Sequence, residues 1–315
     1  MTDKSKVKIY SSRKTVCVIL FFVVLFTSLI YILTINVENH SIDEDKSPQE
    51  TIVYVETEEE LKTAINNTLP DKPTIITLYK DITLTGTLAI SANRTITLTS
   101  NMDMGFYKLI GTIDQDSTIS ISDGGVLRLD GIIVTHTNDV RGRGVDVGVY
   151  GTLIMVDGEI SGNKISSDGG GIYNSGNFKM LGGTISGNTV SSYSTSSGRG
   201  FSSSSYGGRG GGVYNRGSFE MSGGTISGNT ASSQGGGVYN FDTFKMTDGL
   251  IYGNKASSGG DVYNAAGGTV DKSGGLTFGN IDLSIVLVMG VIVGVISVLF
   301  LHFMKEKTQN KTLGS

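Results

Sequence analysis

Short runs of alternating apolar and charged residues return along the chain almost unchanged. Phe178-Lys179-Met180, Phe219-Glu220-Met221 and Phe244-Lys245-Met246 each read apolar, charged, apolar, the period-2 pattern of a half-buried strand. Val213 and Ile226 belong to two further short runs of the same unit. Gly-Gly, Asp-Gly and Gly-Asn pairs separate the runs, and these residues tolerate the positive φ of sharp turns. Met155 to Met180 and Met221 to Met246 are both 25 residues apart, while Met180 to Met221 is 41, one period plus a 16-residue insertion. Three short strands per unit are too few for a propeller blade, and no helical half of an ankyrin or leucine-rich repeat is present. The pattern predicts a parallel β-helix, each unit forming one coil that pairs with the next.

Two asparagine columns follow from that stacking. Asn163, Asn188, Asn229, Asn254 and Asn280 share one coil position, and Asn174, Asn215, Asn240 and Asn264 another. Amides one strand step apart can bond up a ladder, or each Asn can serve its own turn; both readings are structural. Thr-rich alternating runs over 74–140, with Ile75, Leu78, Leu98, Leu127 and Val134 among the apolar positions, read as earlier, diverged coils. Upstream, Thr57 and Glu60 form a capping-box pair opening a short amphipathic helix, placed to close the end of the solenoid.

The repeat Gly-Gly-Gly-Ile-Tyr-Asn at 169–174, closed by Gly-Thr-Ile-Ser-Gly-Asn at 183–188, resembles the adhesin-like β-helix repeats of methanogenic archaea and some anaerobic bacteria. More loosely it resembles the repeats of polymorphic outer membrane proteins, departing from them in using Ile-x-x-Asn. The resemblance covers about 145–280 and implies the right-handed, pectin-lyase-like form of the fold. Repeat motifs of this kind specify architecture rather than activity.

Val16–Ile35 and Leu283–Phe303 are apolar runs of membrane-spanning length. Lys4, Lys6, Lys8, Arg13 and Lys14 precede the first, and Lys305, Lys307 and Lys311 follow the second. The positive-inside rule then puts both termini in the cytoplasm. The expected organisation is a basic tail at 1–15, a transmembrane signal anchor at 16–35 (a cleaved signal being the alternative) and an acidic linker at 36–56. A β-helix ectodomain follows at 57–280 with a Ser/Gly-rich loop at 191–209, then a second span at 283–303 and a tail at 304–315. The expected fold class is therefore all-β: a right-handed parallel β-helix with an N-terminal capping helix, flanked by two transmembrane α-helices at the plasma membrane. The lipid bilayer becomes an expected partner.

A net charge of −4 without a basic stripe excludes nucleic acid as a partner. The single cysteine, Cys17, lies in the first apolar run, so the repeats contain no disulfide. No His-Glu-x-x-His, phosphate loop or calcium nonapeptide occurs, and no catalytic, metal or cofactor residue is assigned. Pectate lyases and polygalacturonases resemble this fold, and their chemistry needs acids clustered on neighbouring coils with a base such as Arg. Asp130 and Asp157, about one coil apart, are the candidates, with Asp123, Asp146 and Arg128 nearby. Against this, Asp157-Gly158 and Asp248-Gly249 fill a turn slot that is Gly-Gly elsewhere. Tyr173, Tyr214, Tyr239 and Tyr263 recur once per coil and are expected to point outward, as a stacked face for sugar rings or as ordinary strand residues. The expected function is a membrane-anchored, adhesin-like surface protein binding extracellular glycans or cell-surface components. The alternatives are a polysaccharide lyase or glycoside hydrolase, and a spacer without ligand.

Overall fold

A computed structural model describes residues 50–70, 72–101, 105–195 and 204–278. Over these residues the chain winds into a right-handed parallel β-helix, the hand that parallel crossovers take. Strands of successive coils build two long sheets. One runs from Thr51–Val55 through Val126–His136 and Thr152–Ser161 to Thr269–Lys272. The other contains Gly142–Val147, Ile172–Asn174, Val213–Asn215, Val238–Asn240 and Val262–Asn264. Their ladders are parallel except for a single antiparallel bridge, Lys164 to Gly142.

Register follows the repeat. Leu153, Phe178, Phe219 and Phe244 form one inward row, and Met155, Met180, Met221 and Met246 the next. All are at most 1% exposed. The Phe rings stack at 4.6 and 4.7 Å, so each side chain packs on its own equivalent one coil away. Burying one such ring contributes about 2–3 kcal/mol. Slipping the register by one residue would send Lys179, Glu220 and Lys245 inward, which is why the alternation specifies the pairing so strongly.

Both asparagine columns are ladders. Asn163, Asn188 and Asn229 each donate Nδ2–H to the Oδ1 of the next Asn at 2.9 Å, and the series ends on the Asp261 carboxylate. Asn174, Asn215 and Asn240 repeat the pattern at 2.7 Å, ending on Asn264. Asn280, expected in the first column, lies outside the described residues. The glycines beside the ladder are required by close approach. A Cβ on Gly212 would meet the Gly237 carbonyl oxygen at 2.7 Å and the Asn229 amide at 3.0 Å, so only a residue without a side chain lets the coils close.

The helix Glu58–Asn67 is capped as the sequence predicts: Thr57 accepts from Glu60 N–H, and the Glu60 carboxylate accepts from Glu56 and Thr57 N–H. Its buried face, Leu61, Ala64 and Ile65, joins the solenoid core. Residues 51–55, expected in the acidic linker, are instead the first strand, paired in parallel with Thr74–Leu78. The local run Thr-Ile-Val-Tyr-Val carries that strand's β-branched signature.

The flanking transmembrane helices require correction. Among the described residues the helix Glu58–Asn67 has ten residues, about half of what a bilayer crossing needs. No described helix is long and apolar enough to cross a membrane. The runs 16–35 and 283–303 lie outside the described residues. With no spanning helix among the described residues, the expected signal anchor, bilayer partner and plasma-membrane placement with cytoplasmic termini are withdrawn, and with them the membrane-anchored adhesin.

Candidate functional site

The strands Val126–His136 and Thr152–Ser161 carry the acids. Pairing across them places Asp157 opposite Asp130, at a β-bulge that interrupts the register between Met155 and Gly158. Neighbouring coils are about 4.8 Å apart, so the two acids lie one coil step apart on adjacent strands, both half-buried. A bulge is a device that re-aims a side chain. Arg128, two residues before Asp130 on the same outward face, reaches Asp130 Oδ2 with Nη2 at 3.5 Å. Asp157 Oδ1 instead accepts the Gly158 N–H at 2.7 Å, with Gly158 at φ +99°. Asp248 and Gly249 reproduce that bond and that backbone at 2.7 Å and φ +101°. Turn chemistry therefore accounts for this contact of Asp157; the Asp130 and Arg128 neighbours distinguish it from Asp248, which pairs with Ser222.

The other two acids named from the sequence do not join the pair. Asp123 sits in the corner before strand Val126–His136, at φ +48°, its carboxylate accepting from Ser122 Oγ. Asp146 lies in the second sheet, opposite Ser120 and Tyr173. There Arg143 Nη1 donates to Asp146 Oδ2 at 3.1 Å, and its remaining nitrogens donate to the carbonyls of Gly169 and Asp168. Burial holds the Asp146 carboxyl above its ordinary range, against the lowering effect of the Arg143 charge. Arg209 forms a second clamp, bidentate on Asp168 at 3.1 and 2.6 Å. Sequence reasoning missed both clamps, because Arg143, Asp168 and Arg209 converge only through coil stacking.

The tyrosine file also differs from expectation. Tyr173, Tyr214, Tyr239 and Tyr263 do stack, with centroids 5.0 to 5.4 Å apart. They are not an open face: Tyr214 and Tyr239 are 4% and 5% exposed. Arg209 lies over both rings at 5.1 Å, and Arg143 over Tyr173 at 4.8 Å. The file is a small second core outside the solenoid, and burial pushes the Tyr214 phenol up to about 12. No sugar ring can lie on rings already covered by guanidinium planes.

The insertion, expected as a Ser/Gly-rich loop, begins and ends as an antiparallel hairpin pairing Ser192–Thr195 with Ser204–Gly207. Its base meets the Arg209–Asp168 clamp. A cleft of about 800 Å³ lies elsewhere, at the capped end, lined by Val53, Val55, Thr57, Glu60, Ala64 and Lys72 among others; neither Asp130 nor Asp157 lines it. Among the described residues no group of three or more His, Cys, Asp or Glu side chains could hold a metal ion. No protein family, no curated protein and no solved structure matches the chain. The likeness to adhesin and polymorphic outer membrane protein repeats thus reduces to the shared solenoid architecture.

Proposed function

We propose that the protein cleaves an extended polysaccharide, as a glycoside hydrolase of the pectin-lyase-like architecture. The register that pairs Asp130 with Asp157, with Arg128 against one of them, carries this reading. Hydrolysis of a glycosidic bond needs two carboxyl groups. One protonates the departing oxygen; the other receives the proton of the attacking water, or attacks the anomeric carbon itself. The two groups must differ in surroundings to divide those roles. Here Asp130 faces a guanidinium, while Asp157 faces a backbone N–H. A polymer lying across the outer surface of the coils would present its bonds to both.

The test is incubation of the whole chain with neutral and uronate polysaccharides, with polymer length and new reducing ends measured. Shortening that falls at least 100-fold in both Asp130→Asn and Asp157→Asn supports the assignment; equal shortening by the variants sinks it. Unsaturated non-reducing ends formed together with the new reducing ends would make the enzyme a lyase, since elimination releases a reducing end just as hydrolysis does. The repetition of the Asp157 turn at Asp248 favours a second reading, a rigid spacer, which predicts no shortening of any polymer.

A further inference from the structure

The strand Thr51–Val55 is an edge of the longer sheet. It pairs with Thr74–Leu78, and among the described residues no strand lies on its other side. Alternate residues of a strand turn both main-chain groups to the same neighbour. Thr51 N–H donates to the Pro73 carbonyl, and the Val55 carbonyl accepts from Tyr79 N–H, so these residues, with Val53 between them, face the sheet. Ile52 and Tyr54 therefore turn their N–H and C=O groups outward. Their side chains are exposed as well, at 55% and 62%. Edges of this kind are ordinarily blunted by charge, proline or a bulge. The run Thr-Ile-Val-Tyr-Val has neither charge nor proline, and its register with Thr74–Leu78 is unbroken. At the far end of the same sheet, Thr269–Lys272 carries Asp271 and Lys272. One edge is protected by charge, and the other is left able to pair.

The cleft at the capped end runs along this unprotected edge. Val53, Val55 and Ala64 give it apolar lining, and its volume of about 800 Å³ is in the range of ligand clefts. The helix Glu58–Asn67 forms the opposite wall. A helix is about 10 Å across and takes the room of about two strand steps. Two solenoids joined edge to edge would bring two such helices within about one strand step, well inside the roughly 8–10 Å at which helices pack. A single extended segment fits where a second copy does not.

The charges lining the cleft are divided between its ends. Glu59 and Glu60 lie in the first turn of the helix, just after Val55. Lys72 adjoins Pro73, whose carbonyl is bonded to Thr51. Acid and base thus stand at opposite ends of a five-residue strand, about 17 Å apart and beyond a screening length of about 8–10 Å. Among the described residues Glu59 and Lys72 enter no ion pair, whereas Glu56 holds Lys80 and Glu58 holds Lys62.

We propose that this cleft binds an extended segment of a partner protein, added as an antiparallel strand to Thr51–Val55. A basic residue at the segment's N-terminal side meets Glu59, and an acidic one at its C-terminal side meets Lys72. Main-chain bonds to Ile52 and Tyr54 supply the affinity, alternate apolar side chains enter the cleft over Val53 and Val55, and the two charges set direction. The antiparallel sense is the one in which the segment's own amino and carboxyl ends agree with those charges. The site is separate from polysaccharide cleavage, since neither Asp130 nor Asp157 lines the cleft.

The test measures binding of labelled synthetic peptides to the whole chain by fluorescence anisotropy. Lys-Thr-Val-Thr-Val-Thr-Glu is expected to bind at least tenfold tighter than the charge-reversed Glu-Thr-Val-Thr-Val-Thr-Lys. Methylating alternate main-chain nitrogens of the first peptide is expected to abolish binding for one set and spare it for the other, because only every second residue faces the edge. Ile52→Pro and Tyr54→Pro each remove an outward N–H without touching the native ladder. Both should weaken binding at least tenfold with Tm and polysaccharide cleavage unchanged, and Glu59→Lys should erase the preference between the two peptides. Equal affinity for the two peptides, or for the two methylated forms, overturns the proposal whether or not the proline variants fold. So does a chain that binds neither peptide; if that chain sediments as a dimer that Ile52→Pro dissociates, the occupant of the edge is a second copy.

Discussion

Asn229 shows how much a single repeated residue does. Its backbone N–H and Nδ2–H both reach Asn254 Oδ1, its Nδ2 also donates to the Ile185 carbonyl, and its own Oδ1 accepts twice from Asn188. It is fully buried. Asn229→Ala therefore leaves donors and acceptors on two adjacent coils without water or partner, at a cost of about 2–3 kcal/mol, readable as a lower denaturation midpoint. His136 is a residue whose role the sequence concealed. It is 5% exposed, with Nδ1 3.2 Å from Asn163 Oδ1, and burial holds its imidazole below the ordinary histidine range, with the Asn163 bond and the Asp116 charge opposing. The unfolded chain takes up a proton near pH 6.5 and the folded chain only at lower pH. Stability is thus full above about pH 6.5 and falls as pH drops toward the folded value. Denaturation midpoints at pH 7 and pH 5 should differ more for the native protein than for His136→Gln.

At the scale of elements, the strand alternation and the capping box were legible because each depends on neighbours in sequence. Thr57→Ala removes the acceptor for Glu60 N–H and should cost about 1 kcal/mol, seen as lost helix signal and easier fraying of the capped end. The first strand was not legible. Thr51–Val55 borders the acidic stretch, and charge density outweighed the β-branched run when only local composition was weighed. The hairpin in the insertion escaped for a related reason: Ser and Gly specify little backbone structure by themselves, so the pairing of Ser192 with Gly207 depends on where the coils bring the two ends.

For the whole molecule, stability is distributed along the stack, each coil resting on its neighbours. Near the end of the described residues, the strand Thr269–Lys272 is exposed at every residue, whereas Ser218–Ser227 is paired on both sides. Hydrogen exchange should therefore be faster at 269–277 than at 218–227, a gradient rather than a uniform rate. Equal protection would show that the solenoid opens only as one unit.

The sequence by itself determined the solenoid, its period, the inward rows of Phe and Met and the two asparagine columns, while the stacked structure decided that those columns bond as ladders. A repeat states the same local instruction in every coil, and stacking turns identical residues into contacts. Tertiary structure alone decided what happens between unlike residues. It put a bulge where Asp157 meets Asp130, a pair whose one-coil spacing was already legible, and it closed Arg143 and Arg209 over the tyrosine file. Those outcomes depend on which coil lies beside which. They involve residues that depart from the repeat, about which the period carries no information.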